Sequence, residues 1–140
     1  MFFSPNLTRR LIVAGAFFLL FTVACNTGPH SSVQGNISFD GEKVDQGGIA
    51  FLPLEAGDSQ RATVKIVDGH YHLDSQSGPN PGKHRVEIHW RKKTGQKVPG
   101  EGGHPRDEIV PGIPPKYNTE SELTVTINPG SNTLDFHLKK

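Results

Sequence analysis

The chain has 140 residues, 34% of them hydrophobic, with 16 Gly and 11 Pro. That composition disfavours a helical core and suits a small, turn-rich β domain. Lys and Arg total 15 against 14 Asp and Glu, a formal charge of +1. Such a balance exerts no global pull on nucleic acid or on anionic lipid.

The first 24 residues read as a cleaved leader. Arg9 and Arg10 supply a positive start, and residues 11–24 (LIVAGAFFLLFTVA) carry no charge. That apolar run suits a signal peptide and is shorter than the roughly 20 residues of a bilayer span. Asn26, Thr27, Gly28 and Pro29 follow at once and would break a helix. The chain's single cysteine, Cys25, sits at the junction, and Thr22-Val23-Ala24-Cys25 resembles the lipobox of bacterial lipoproteins. That resemblance implies cleavage before Cys25 and acylation of its thiol and new amine. The family's usual Leu is replaced by Thr22. Several acyl chains anchor stably, since each buried CH₂ contributes about 0.8 kcal/mol. The expectation is an exported protein held to a membrane through lipid on Cys25, with residues 25–32 as a short tether. The remaining chain then has no thiol for a disulfide or a Cys-based metal site.

From 33 to 140 the signals are strand and turn. Residues 33–39 (VQGNISF) alternate, and Asp40-Gly41 is a turn dipeptide. Residues 48–53 (GIAFLP) read as a second strand. In 61–66, Ala62, Val64 and Ile66 share a face; Asp68-Gly69 turns the chain, and Tyr71 and Leu73 resume the inward positions. Residues 83–91 (KHRVEIHWR) alternate most strongly, with His84, Val86, Ile88 and Trp90 on one side. Leu123, Val125 and Ile127 form another strand, and 132–138 a last one with Leu134, Phe136 and Leu138 inward. No stretch shows a helical period over ten residues. About seven short strands with one apolar face each predict a sandwich of antiparallel sheets. Residues 92–116 carry five Pro and five Gly without alternation. They read as a long irregular loop, and such loops are often functional.

The order of these pieces resembles that of bacterial carboxypeptidase-regulatory-like, or transthyretin-like, lipoproteins. The stretches that carry it are VQGNISFDG (33–41), GGIAFLP (47–53), DGHYHL (68–73), PGKHRVEI (81–88), IPPKYNTESELTVTI (113–127) and GSNTLDFHL (130–138). The resemblance implies a prealbumin-like seven-strand β-sandwich and no activity. A cousin of that fold, the hydroxyisourate hydrolases, carries a Tyr-Arg-Gly-Ser that does not occur here. The His-x-x-Glu element of metallocarboxypeptidases is also missing. A hydrolase is therefore the third reading, behind a binding module.

Candidate sites are few. His70 and His72 share the outer face of one strand and His89 that of another. If those strands pair, the three imidazoles converge on Zn or Cu; the alternative is three solvated side chains. His84 has inward parity and reads as an aromatic substitute bonded to backbone. Ser75 and Ser77 have no evident base. Asp107-Glu108 and Glu120/Glu122 read as surface charge, and Asp40, Asp45, Asp68 and Asp74 as turn chemistry. No motif for a cofactor or catalytic set appears. Arg91, Lys92, Lys93 and Lys97, with His104 and Arg106, make the 92–116 loop a candidate contact surface beside Trp90. In an exported chain its partner is expected to be an envelope protein or polysaccharide, not nucleic acid. The leading expectation is a non-enzymatic adhesion or scaffolding module, and the alternative is a small-ligand or metal-binding protein.

Overall fold

A computed structural model describes residues 30–55 and 60–140. The leader (1–24), Cys25 and most of the tether lie outside the described residues. Ten strands follow in chain order: β1 (Ser32–Phe39), β2 (Glu42–Lys43), β3 (Gln46–Pro53), β4 (Ala62–Val67), β5 (His70–Leu73), β6 (Gly82–Pro99), β7 (Pro105–Pro111), β8 (Thr124–Ile127), β9 (Ser131–Thr133) and β10 (Phe136–Leu138). The only helical pieces among the described residues are two 3₁₀ turns, Glu101–Gly103 and Pro115–Tyr117.

The hydrogen-bonded order is β10-β1-β5-β4-β3-β6-β7, with β2 and β9 on β1 and β8 on β6. The sheet folds over on itself. β4 and β5 pair only at Val67↔His70. The Phe39 and Trp90 rings lie 6.4 Å apart, although their strands, β1 and β6, are four steps apart in that order. In a flat sheet four steps span about 19 Å. Phe51 on β3 likewise meets Tyr71 on β5 at 6.1 Å. The result is sandwich-like: β9, β10, β1 and β5 in one layer, β4, β3, β6 and β8 in the other, with the apolar faces between them.

Alternation sets which side chains fill that space. Val33, Ile37 and Phe39 from β1 meet Ile49 and Phe51, Ala62 and Ile66, and the run His84, Val86, Ile88 and Trp90 from β6. His84 is buried as its parity requires, and its Nδ1 lies 3.2 Å from the Gly82 carbonyl oxygen. Both Asp-Gly dipeptides form tight hairpins. Asp40 and Gly41 have φ of 49° and 84°, and Asp68 and Gly69 have 51° and 80°. Two successive positive φ values match the right-handed twist of the flanking strands, which explains the Gly at the second position.

Two expectations need correction. The strands number ten rather than seven, because β2 and β7 are added and 132–138 is split. They are not all antiparallel, because β9 and β10 both run parallel to β1. The reason is the route of the chain. β8 pairs with β6 at one border of the sheet, and three residues later β9 pairs with β1 at the other. This link lands where β1 begins: Ser32 N–H donates to the Gly130 carbonyl at 2.9 Å and Ser31 Oγ to that of Asn128 at 2.8 Å. The chain can then only run alongside β1 in the same sense. The split between β9 and β10 falls at Leu134-Asp135, where the Asp135 carboxylate replaces a backbone carbonyl. It accepts the Asn36 N–H at 2.7 Å and the Asn36 amide at 3.0 Å.

Those bonds, the backbone one first, hold the Asp135 carboxyl below its usual range. Such a contribution is complete above the ordinary carboxylate pKa and is lost as pH falls. Beside it, Tyr71 hydroxyl donates to the Leu134 carbonyl at 2.7 Å. Burial first, and then the Asp135 charge, push that hydroxyl above its usual pKa. Tyr71→Phe leaves the Leu134 carbonyl without this donor; urea unfolding is expected to show a loss of about 1–2 kcal/mol with an unchanged m-value.

Candidate interaction surface

β6 is 18 residues long, and its two halves have different surroundings. Residues 84–90 pair with β3, and 82–85 with β8. Beyond Trp90 the strand leaves the sandwich and pairs only with β7, forming a two-stranded ribbon. Trp90 is the root of this ribbon. Its Nε1 donates to Asp45 Oδ1 at 2.7 Å, Lys92 Nζ stands 4.6 Å over its ring, and a side chain at Gly112 would run into the same ring. Lys92 also ion-pairs with Glu42 of β2, tying the ribbon's base to the other layer.

The ribbon corrects the expectation of an irregular loop at 92–116. Arg91, Lys92 and Lys93 pair with Pro111, Val110 and Ile109; Lys97, Val98 and Pro99 pair with Asp107, Arg106 and Pro105. Between Lys93 and Lys97 the register shifts, so Thr94, Gly95 and Gln96 stand opposite Glu108 alone. Thr94 Oγ1 donates to Glu108 Oε2 there at 2.6 Å. A bulge resets the period of two, and both faces of the ribbon meet solvent. Neither half could therefore show apolar alternation. Pro99, Pro105 and Pro111, the bulge and the lysines blunt the open edges against chance strand pairing. The end of the supposed loop is something else: Ile113 is buried in the core, and Tyr117 hydroxyl donates to the Lys139 carbonyl at 2.8 Å.

The candidate contact residues do not form one patch. Arg91, Lys93 and Lys97 share one face of the ribbon with Asp107 and Ile109; Lys92 and Arg106 share the other with Glu108 and Val110. His104 stands exposed beside the 3₁₀ turn at the tip. Lys97 first, and then Lys93, hold the Asp107 carboxyl below its usual range. Ile109 and Val110 are exposed apolar side chains on opposite faces.

The condition for three converging histidines, that their strands pair, is not met. His70 and His72 do share the outer face of β5, but β4 and β3 lie between it and the β6 strand of His89. Their outer faces belong to opposite layers, about 10 Å apart through the core and pointing away from each other, whereas ligands to one Zn lie about 2 Å from it. Among the described residues no group of three or more His, Cys, Asp or Glu is arranged to hold a metal ion. The histidine that does join the β5 pair's layer is His137, whose Nδ1 lies 2.9 Å from Ser38 Oγ. Sequence reasoning missed it because the parallel pairing of β10 with β1 has no local signature. A groove of about 560 Å³ runs past His70 and His72, lined also by Gln34, Asn36, Lys65 and Thr133.

The remaining candidates resolve into turn chemistry. Ser77 Oγ donates to Asp74 Oδ1 at 2.7 Å, and the N–H groups of Gln76 and Ser77 do so at 3.0 and 2.9 Å. These bonds, that from the Ser77 hydroxyl first, lower the Asp74 pKa. Asp45 serves Trp90 and the Gln46 N–H. No family model matches the chain, and no curated protein matches it.

Trp90 is the chain's one tryptophan, so its emission reports the ribbon's root. Trp90→Phe removes the bond to Asp45 and is expected to cost about 1–2 kcal/mol in chemical denaturation. Asp107 pairs its cations above the ordinary carboxylate pKa and releases them as pH falls through its lowered value. An acid titration followed by the amide resonances of Lys93 and Lys97 is expected to show that transition, and Asp107→Asn to remove it.

Proposed function

We propose that the chain is an exported, lipid-anchored, non-enzymatic module of the cell envelope. In this reading it is a prealbumin-like sandwich of the carboxypeptidase-regulatory-like lipoprotein type, tethered through Cys25, with the β6–β7 ribbon as its contact element. The observation that carries the reading is the ribbon itself. An isolated two-stranded ribbon is at best marginally stable in water. This one is rooted on a buried tryptophan and held by ion pairs at its base and along one face. It presents exposed Ile109 and Val110 among cations, the mixture of apolar anchors and charged rim that suits a docking element. The leader and the lipobox-like Thr22–Cys25 support the address.

Replacing residues 92–110 by a short Gly-rich turn keeps Trp90 and Gly112 and removes the contact element. Cosedimentation with detergent-stripped envelope fragments is expected to fall to background while the thermal unfolding of the sandwich persists. Unchanged cosedimentation by a folded variant refutes the contact role. Mass spectrometry of the mature N-terminus is expected to find acylated Cys25, and a free thiol there refutes the anchor.

A further inference from the structure

The chain is nearly neutral, yet its cations are unevenly placed. The outward positions of β6 are, in order, Lys83, Arg85, Glu87, His89, Arg91 and Lys93, with Lys97 on the same face beyond the bulge. The face continues across the neighbouring strands. Register sets Gly48 between His89 and Lys65, and Ala50 between Glu87 and Thr63. On the other flank Thr126 lies beside Lys83 and Thr124 beside Arg85. The floor at Gly48 and Ala50 is therefore small side chains, flanked by cations and hydroxyls, with Leu52 beside Arg85 and the exposed Val67 of β4 as apolar borders.

The carboxylates on this face are already engaged. Glu87, 12% exposed, accepts Arg85 Nη2 at 2.9 Å and faces Arg61 Nη2 at 3.5 Å. Asp107 is shared between Lys93, at 3.2 Å, and Lys97. Each has two cations, so the row keeps an excess of positive charge. Lys65, Lys83 and Arg91 form no ion pair among the described residues. The opposite layer shows a different outer face, of amides, hydroxyls and the imidazoles of His70, His72 and His137, with Lys43 and Asp135 as its charged groups.

We propose that the outer face of β3, β4 and β6, continued onto the ribbon, is a track for a linear acidic polysaccharide. This deepens the reading of the chain as an exported contact module and rests on it. The cations follow one strand instead of spreading over a disc, and Lys83 to Lys93 spans roughly 33 Å at the usual rise per residue. Outward side chains recur every ~6.7 Å along it, a periodic row suited to a polymer with repeated carboxylates. Arg91 brings a guanidinium fork that matches a carboxylate in two parallel bonds. Thr63, Thr124 and Thr126 bring hydroxyls for sugar hydroxyls. No Trp, Tyr or Phe stands in the row for bases to stack on, since Trp90 points into the core.

The test uses the full chain in detergent micelles, with polygalacturonate oligosaccharides as the probe and calorimetry at low salt. Binding is expected, weakening steeply as salt is raised. The triple variant Lys65→Ser/Lys83→Ser/Arg91→Ser breaks no ion pair and is expected to bind about tenfold more weakly or worse, with the same unfolding temperature. The proposal is overturned if the probe does not bind, or if the folded triple variant binds it as well as the parent does. It is equally overturned if neutral dextran, polyphosphate or phosphatidylglycerol vesicles bind in preference. The two readings separate cleanly. Loss of envelope retention on ribbon replacement, with polyuronate affinity unmoved in the triple variant, sinks the track alone. The reverse pattern sinks the ribbon's role and keeps the track.

Discussion

Everything in this molecule is arranged around one constraint: the two-residue period of β6, held without a break from Gly82 to Lys93. A strand of that length cannot choose its faces segment by segment. Once Val86, Ile88 and Trp90 are committed to the interior, Arg85, Glu87, His89 and Arg91 must stand on the outside. The interior then ends at Trp90 while the strand goes on. Every later residue keeps its alternation with solvent on both sides. Core, ribbon and cationic row are thus three consequences of one geometry, and Trp90 is where the first gives way to the second.

A sandwich built this way has an open side to close. β1 and β6 lie next to opposite ends of the hydrogen-bonded order, and among the described residues the continuous ladder between them runs the long way, through β5, β4 and β3. Two short connections close the other side. One is the three-residue link from β8 to β9, stitched by Ser31 and Ser32 at one end of the barrel-like gap. Asn132 secures it, accepting the Asn128 N–H at 2.9 Å and donating to the Asn128 carbonyl at 2.8 Å. The other is the Pro115–Tyr117 turn, whose tyrosine hydroxyl donates to the Lys139 carbonyl beyond β10. Each joins groups more than 20 residues apart in the chain, so the chain's loop-closure entropy is opposed by few bonds at these places. Around Ser31, Asn128 and Asn132 the polar groups are buried or half-buried, which makes an unpaired one costly, whereas the Tyr117–Lys139 bond is exposed.

Legibility in the sequence followed the same division. Where one face is buried and the other wet, alternation exposed the strand and its inward residues. That holds for β1, β4, β5 and the first half of β6, down to the polar exception His84. Asp-Gly marked both tight hairpins because the required backbone conformation admits few residues. What a single sequence does not contain is the lateral order of strands. His89 looked eligible to join His70 and His72 for that reason, and the parallel seating of β9 and β10 was invisible for the same one. The ribbon escaped by a different route. Its strands bury neither face, its bulge breaks the period after Lys93, and its prolines sit at positions that protect an edge rather than end a strand. Asp135 was hidden more deeply still, because a side chain that imitates a carbonyl leaves no pattern at all.

The charge arrangement shows why a near-zero net charge is a poor guide to what a small β domain can bind. Net charge sums over both layers, whereas a ligand meets only one of them at a time. Here the acidic residues sit mainly in turns and at the border strands, where Asp40, Asp45, Asp68 and Asp74 are held in hairpin and loop chemistry. The cations collect on the outward positions of β6 and its neighbours, which the strand's period had already turned to solvent. The two carboxylates that remain among them, Glu87 and Asp107, each bridge two cations and so order the row without cancelling it. Repulsion along such a row costs folding energy, and those bridges offset part of it. The unpaired cations between them are left facing solvent, where an incoming anion and the protein's own carboxylates compete on unequal terms: the carboxylates are fully engaged, and Lys65, Lys83 and Arg91 are not.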